Sequence, residues 1–216
     1  MPDHSANDAC RHAPATARNR EPILKVLQRV LPSTGTVLEV ASGTGEHAVF
    51  FAPRLQTQIW QPSDPNSEMV ASSAAWQQEW PAKNLRSPLQ LDVRESVWPV
   101  ELDNDNSDRP APPISAIVCI NMIHIAPWSA CLGLLAGASR ILPPGGILYL
   151  YGPYKQNQQH TAPSNEFFDE TLRSQNPEWG VRNLEDVVAA AKAQNLELLE
   201  TVPMPANNFS VVFQHG

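Results

Sequence analysis

TVLEVASGTGEHA, Thr36 to Ala48, holds an apolar run carrying Glu39, a turn with two glycines, and the opening of a helical pattern. Gly43 and Gly45 have no Cβ, so the backbone can turn sharply there and approach a ligand closely, while the amides that begin the next helix point outward. Turns of this kind bind nucleotide-like ligands. The same residues also satisfy GxGxxA, the pattern that places a pyrophosphate on a helix N-terminus. The stretch alone therefore leaves two ligand classes open, and the rest of the chain decides between them.

Working outward, strands and helices alternate. Upstream, residues 20–31 put Ile23, Leu27, Val30 and Leu31 on one helical face, with Pro22 in the first turn, where its missing N–H matters little. Residues 36–40 read as a strand buried on both faces, and 45–55 as the helix after it. A second strand over 58–61 leads to Asp64, a second helix covers 66–80, and a third strand over 89–93 carries Asp92 near its end. Residues 101–113 are acidic and proline-rich, a solvated loop. The most apolar strand follows at 114–121, then a helix at 130–142 and a fifth strand at 147–151. Residues 154–180 show no clear period and read as a polar, aromatic insertion long enough for a lid.

Asn183 is placed to cap a helix whose apolar stripe is Leu184, Val187, Val188 and Ala191. The last two strands, 196–202 and 209–213, are joined by PMPANN, which is too short for a crossover helix. They should pair antiparallel, with Phe209, Val211 and Phe213 facing inward.

The bulk properties narrow the partners. A chain of 216 residues suits one domain, expected over 16–216 behind a flexible segment 1–15. With 22 acidic and 15 basic residues the net charge is −7, which argues against nucleic acid and for a small acceptor. Cys10, Cys119 and Cys131 have no paired or metal-type spacing; the last two lie in apolar segments, so a reducing compartment and no metal are expected. No stretch reaches the roughly 20 apolar residues of a membrane span, nor does the N-terminus have a signal-peptide core. The expected location is cytoplasmic.

An α/β, Rossmann-like, doubly wound sheet of seven strands that closes in an antiparallel hairpin resembles the class I methyltransferase layout; a dinucleotide domain would need a second parallel half. The resemblance points to S-adenosylmethionine as cofactor. In such sheets ligands sit outside the carboxyl ends of the strands. Glu39, Ala41, Gly43 and Gly45 follow the first strand. Asp64 lies about 20 residues beyond the glycines, where a carboxylate can accept both ribose hydroxyls, although it can also cap the following helix. Asp92, with Val93 beside it, can meet the adenine amino group. Asn121 and His124 follow the fourth strand, nearest the reactive methyl. His124 can act as a general base or be a packed core histidine. Tyr151 and His160, candidates after His124 for taking the acceptor's proton, lie beyond the fifth strand with Tyr154, Thr161, Ser164, Asn165 and Phe168, and this group can close over an acceptor.

Two other chemistries are disfavoured. Tyr151 and Lys155 have YxxxK spacing, but Gly152 and Pro153 between them break the helix that a short-chain dehydrogenase needs. No GxSxG elbow supports a hydrolase.

The segments ARNREPIL, LEVASGTGEHAVFFA, WQPSDP, CINMIHIAPW, LLAGASRILPPGGILYLYGPY, HTAPSNEFFD, WGVRNLEDV and MPANNFSVVF resemble a small family of methyltransferase-like proteins of unassigned substrate, over about residues 18–213. The resemblance implies an S-adenosylmethionine site at Glu39, Ala41, Gly43, Gly45, Asp64 and Asp92. It also implies that Arg18 and Asn19 close the methionine end, Arg18 meeting the carboxylate as a planar fork. Asn121 is followed by Met122 and Ile123 and not by the PPY of base-amine methyltransferases, again against nucleic acid. The expected activity is methyl transfer to a small molecule. A non-catalytic cofactor-binding regulator and an NAD-dependent oxidoreductase stand as alternatives.

Overall fold

The computed structural model describes residues 9–102 and 112–216. The apolar run of the glycine stretch forms β1 (Gly35–Val40), which pairs in parallel with β2 (Gln58–Asp64), Glu39 opposite Pro62. Thr36 through Val40 are all buried, as a parallel strand covered on both faces requires. Between the strands runs α2 (Glu46–Phe51), followed by a 3₁₀ turn at Ala52–Arg54. The helix expected over 45–55 is thus shorter, since Pro53 offers no amide to continue the α-helical ladder.

α1 (Pro14–Val30) starts earlier than its apolar stripe suggests. Pro14 occupies the first turn, and Pro22 lies inside the helix, where it gives the Arg18 carbonyl no donor. Ile23, Leu24, Val26 and Leu27 are its buried face. β2 runs on to Asp64, and Asn66 caps α3 (Ser67–Glu79) by accepting the Glu68 amide at 2.8 Å. β3 shrinks to Leu89–Gln90, in parallel with Ser63 and Asp64, so Asp92 stands just beyond it.

The remaining elements are β4 (Ile114–Ile120), α4 (Trp128–Ile141), β5 (Ile147–Gly152), β6 (Tyr154–Gln156), β7 (Gln159–His160), α5 (Pro163–Gln175), β8 (Arg182–Asn183), α6 (Leu184–Lys192), β9 (Leu196–Met204) and β10 (Asn208–His215). The main sheet has seven strands in the order β3-β2-β1-β4-β5-β10-β9. β9 and β10 pair antiparallel, Asn208 opposite Met204, which is the hairpin the short PMPANN link requires. This is the class I methyltransferase fold. Because β10 also pairs with β5, it is an interior strand; Ser210, Val211, Val212 and Phe213 are all buried, in place of the alternate pattern expected from its sequence.

The stretch 154–180 is not irregular. It holds β6, β7 and the 13-residue helix α5, and with β8 just beyond it the two strands form a second sheet in the order β7-β6-β8. The buried face of α5 is Asn165, Asp169 and Leu172, and two polar residues among three hide its period. Asn183 takes the N-cap position of α6, but its side chain accepts the Gln158 amide at 3.0 Å and does not cap.

Two compact units divide the chain, one made of residues up to Asp92 with Val97–Val118, the other of Val93–Ser96 with Cys119–Gly216. Most of the acidic loop at 101–113 and the first eight residues fall outside the described residues. Within the segment 1–15, Cys10 is buried, the Arg11 amide donates to Ser72 Oγ at 3.0 Å, and Trp76 Nε1 donates to the Arg11 carbonyl at 2.8 Å. No helix of the described residues is long and apolar enough to cross a membrane.

Candidate functional site

In the first unit the site begins where β1 ends. Ala41, Gly43 and Gly45 all take left-handed backbone, at φ 51°, 57° and 92°. Alanine there carries a Cβ that disfavours this conformation by roughly 1 to 2 kcal/mol, a strain of the kind that collects at ligand turns. Ser42 continues the β-ladder by donating its amide to the Ser63 carbonyl at 2.9 Å, and its hydroxyl is buried without a partner among the described residues. Asp64 closes the turn from the next strand: Oδ2 accepts the Gly43 amide and Oδ1 the Asn66 amide, each at 2.9 Å. Burial pushes its carboxyl above the usual value, and those two amide bonds oppose the rise.

The two glycines of the motif serve different ends. A Cβ on Gly45 would stand 2.5 Å from the Ser73 Cα, so its bareness lets α2 lie against α3. A Cβ on Gly43 would meet nothing within 4 Å. The backbone therefore faces open space at Gly43, beside the Asp64 carboxylate.

Glu39 lies behind the turn, 1 % exposed, and accepts the indole N–H of Trp60 at 2.7 Å. Burial raises its pKa to about 8 against the indole bond, with the Asp64 charge adding to the rise. The folded state thus holds a proton that the unfolded chain releases near 4.5. Between those values the native state binds more protons, so Glu39 lowers stability as pH rises, by up to about 1.4 kcal/mol per pH unit. Glu39→Gln should remove that slope. Urea denaturation at about pH 5 and about pH 8 checks it: the variant gains on the wild type at the higher pH, and an unchanged difference would contradict the buried, protonated carboxyl.

Asn19, expected near the cofactor, is buried with its Oδ1 2.8 Å from His47 Nε2, joining α1 to α2. Burial, and then the Arg20 charge, lowers the His47 pKa to about 3. Arg18 is exposed on α1, and Asp92 is half-buried.

In the second unit, Val93 is buried, and a Cβ on Gly133 of α4 would overlap its carbonyl. Asn121 ends β4 in left-handed backbone, φ 63°, and donates its amide to the Tyr151 carbonyl at 2.8 Å. His124 follows in a 3₁₀ turn, fully buried, edge-on to Tyr154 at 5.1 Å between centroids. Neither ring nitrogen has a hydrogen-bond partner among the described residues. Burial, and next the Arg182 charge, brings its pKa down to about 3, so the ring is neutral at pH 7. Tyr151 is buried in β5, and its register partner in β10 is Ser210.

His160 lies on β7 with Nε2 3.3 Å from Asp169 Oδ2. Asp169 also receives Lys155 Nζ at 2.9 Å, Arg173 Nε at 3.1 Å and the Val181 amide at 2.8 Å. Burial alone would raise its pKa, but the Lys155 and Val181 hydrogen bonds and the Lys155 and Arg173 charges carry it below the usual value. Sequence reasoning missed both Asp169 and Ser42. The Asp169–Arg173 spacing, one helical turn, was a signal for the first; a hydroxyl inside the glycine turn was a signal for the second. Tyr151 and Lys155 fall on successive strands, β5 and β6, and share no helix face, as their intervening Gly152 and Pro153 require.

A family model described as a protein of unknown function, DUF938, matches residues 10–215. The chain belongs to this family. Among solved structures, this chain resembles human N-acetylserotonin methyltransferase, crystallised with S-adenosylmethionine, at 12 % identity and a TM-score of 0.73, over 94 % of this chain and 53 % of that one. It resembles an O-methyltransferase family 2 protein of Planctomyces limnophilus, complexed with apigenin, at 19 % and 0.71, over 100 % and 63 %. It also resembles an O-methyltransferase family protein of Burkholderia thailandensis at 12 % and 0.71, over 94 % and 57 %. The chain spans about half to two thirds of the length of these proteins. At such identities the likeness is one of fold.

Proposed function

We propose that the protein is an S-adenosylmethionine-dependent methyltransferase with a small-molecule acceptor. The observation that carries this reading is the open space at Gly43 beside the Asp64 carboxylate, which accepts the Gly43 amide. These groups fit the cofactor: a carboxylate for ribose hydroxyls and a backbone bare of Cβ for close approach. In this reading Ala41 and Gly45 shape the turn, and Glu39 braces it through Trp60. Asp92 and Val93 serve the adenine, Arg18 and Asn19 the methionine end, and Asn121 the reactive end. The fold relatives bound to S-adenosylmethionine and to apigenin support the same assignment, and the net charge of −7 favours a small acceptor over nucleic acid.

Bound, the cofactor supplies a methyl group made electrophilic by its sulfonium. The chain's own work is to orient and to take a proton. Oriented reactants can save roughly 7 to 11 kcal/mol of barrier. Among the candidate bases, His160 has a carboxylate beside it, its Nε2 3.3 Å from Asp169 Oδ2, which favours the ring as it gains a proton, while its Nδ1 is buried without a partner among the described residues. His124, neutral and fully enclosed, is disfavoured as a proton acceptor by the same burial that lowers its pKa. Tyr151 keeps its place in this reading as a wall of the acceptor side.

His160→Ala should retain cofactor affinity and lose turnover by about a hundredfold or more, measured as S-adenosylhomocysteine released with a small-molecule extract. Unchanged turnover would take His160 out of the chemistry. Cofactor binding by the wild type without turnover on any extract would favour a regulatory cofactor-binding protein.

A further inference from the structure

Although the chain is acidic, one cavity of the second unit is lined by three cations. Its volume is about 380 Å³, and its wall includes Lys155, Arg173, Arg182, Asp186, Asn183 and Trp128. That size is within the range of small-molecule sites.

Arg182 is half-buried and held by neutral groups. Its Nε donates to the Ile123 carbonyl at 2.9 Å, and one terminal nitrogen donates to the carbonyls of Ala126 at 2.6 Å and Glu178 at 2.9 Å. Among the described residues no carboxylate pairs with it. Arg173 and Lys155 share a single carboxylate, Asp169, whose oxygens also take the Val181 amide and face His160. Its acceptor capacity is used up. The terminal nitrogens of Arg173, the second terminal nitrogen of Arg182 and the remaining hydrogens of Lys155 have no partner among the described residues.

Three positive charges thus meet two carboxylates, Asp169 beneath and Asp186 on the wall. Burial lowers the pKa of Arg182, yet a guanidinium stays charged at neutral pH, and a partly desolvated cation without a counter-ion is unfavourable. An oxyanion relieves that imbalance. Planar guanidinium forks match carboxylate and phosphate in geometry, and Trp128, whose ring centre is 5.7 Å from the Arg182 guanidinium carbon, supplies an apolar surface for the rest of a ligand.

We propose that this cavity binds the oxyanion group, carboxylate or phosphate, of a small organic molecule. Arg182 grips the backbone at residues 123 and 126, just past the carboxyl end of β4, on the side where doubly wound sheets take their ligands. The inference concerns binding and stands apart from whether a methyl group is transferred.

The test is an NMR titration of the arginine side-chain N–H signals of the full chain with inorganic phosphate and, separately, acetate, at constant ionic strength. Saturable shifts at Arg173 and Arg182 are expected with at least one anion; saturation by phosphate alone marks a phosphate ester and by acetate alone a carboxylate. Arg173→Gln, an exposed change that should leave the fold intact, weakens that binding by about tenfold or more, while Lys25→Gln, an exposed change on α1, leaves it alone. Arg182→Gln should do as Arg173→Gln does wherever circular dichroism shows it folded. Shifts that never saturate with either anion, or equal losses in Arg173→Gln and Lys25→Gln, would overturn the site. S-adenosylmethionine affinity, followed in the same variants, should not move, which keeps this result separate from that of the Gly43 turn.

Discussion

Asp64→Ala lowers the affinity for S-adenosylmethionine by about tenfold or more, because removing one charged partner from a hydrogen bond costs roughly 1.5 to 3 kcal/mol. The carboxylate acts twice. It is the group assigned to the ribose, and through its bond to the Gly43 amide it also fixes the turn against which the cofactor would lie. Loss of the Gly43 and Asn66 bonds takes about 1 kcal/mol each from stability, so the variant remains folded and the binding defect can be read directly. Calorimetry on the folded variant, with circular dichroism beside it, is the check. Affinity equal to that of the wild type would remove Asp64 from the site.

Gly45→Ala destabilises the protein by about 3 kcal/mol or more, whereas Gly43→Ala costs only about 1 kcal/mol. Both sites have left-handed backbone, so both substitutions carry that strain. They differ in what the new methyl meets. At Gly45 it lands 2.5 Å from the Ser73 Cα, a backbone atom of α3 that cannot step aside without moving the helix. At Gly43 there is nothing within 4 Å. Urea denaturation of the two variants should therefore separate a glycine kept for packing from one kept for a ligand. Equal losses would mean that the space beside Gly43 is not open in solution.

Much of this was legible because it rests on chain-local physics. The apolar run, Gly43, Gly45 and Asp64 are joined by spacing alone, and the PMPANN stretch at 203–208, of which only 205–207 lie outside the strands, leaves β9 and β10 no choice but to pair antiparallel. What was hidden depends on neighbours that sequence does not reveal. Residues 154–180 looked irregular because α5 buries Asn165, which donates to Thr161 and to the Asn207 carbonyl, and Asp169, whose partners come from β6, β7 and Val181. The neutrality of His124 and the raised pKa of Glu39 follow from burial, which periodicity can suggest but not measure. Pro22 misled for a related reason: tertiary packing of Ile23, Leu24 and Leu27 carries α1 through a residue that would end an isolated helix. Asn183 has the position of a cap but spends its side chain on Gln158.

Titration calorimetry of the purified chain with S-adenosylmethionine and with NAD, side by side, bears most directly on the proposed site at Gly43. A saturable heat with S-adenosylmethionine near one per chain, and none with NAD, is the predicted outcome. Saturable binding of NAD, or no heat with S-adenosylmethionine, would contradict it.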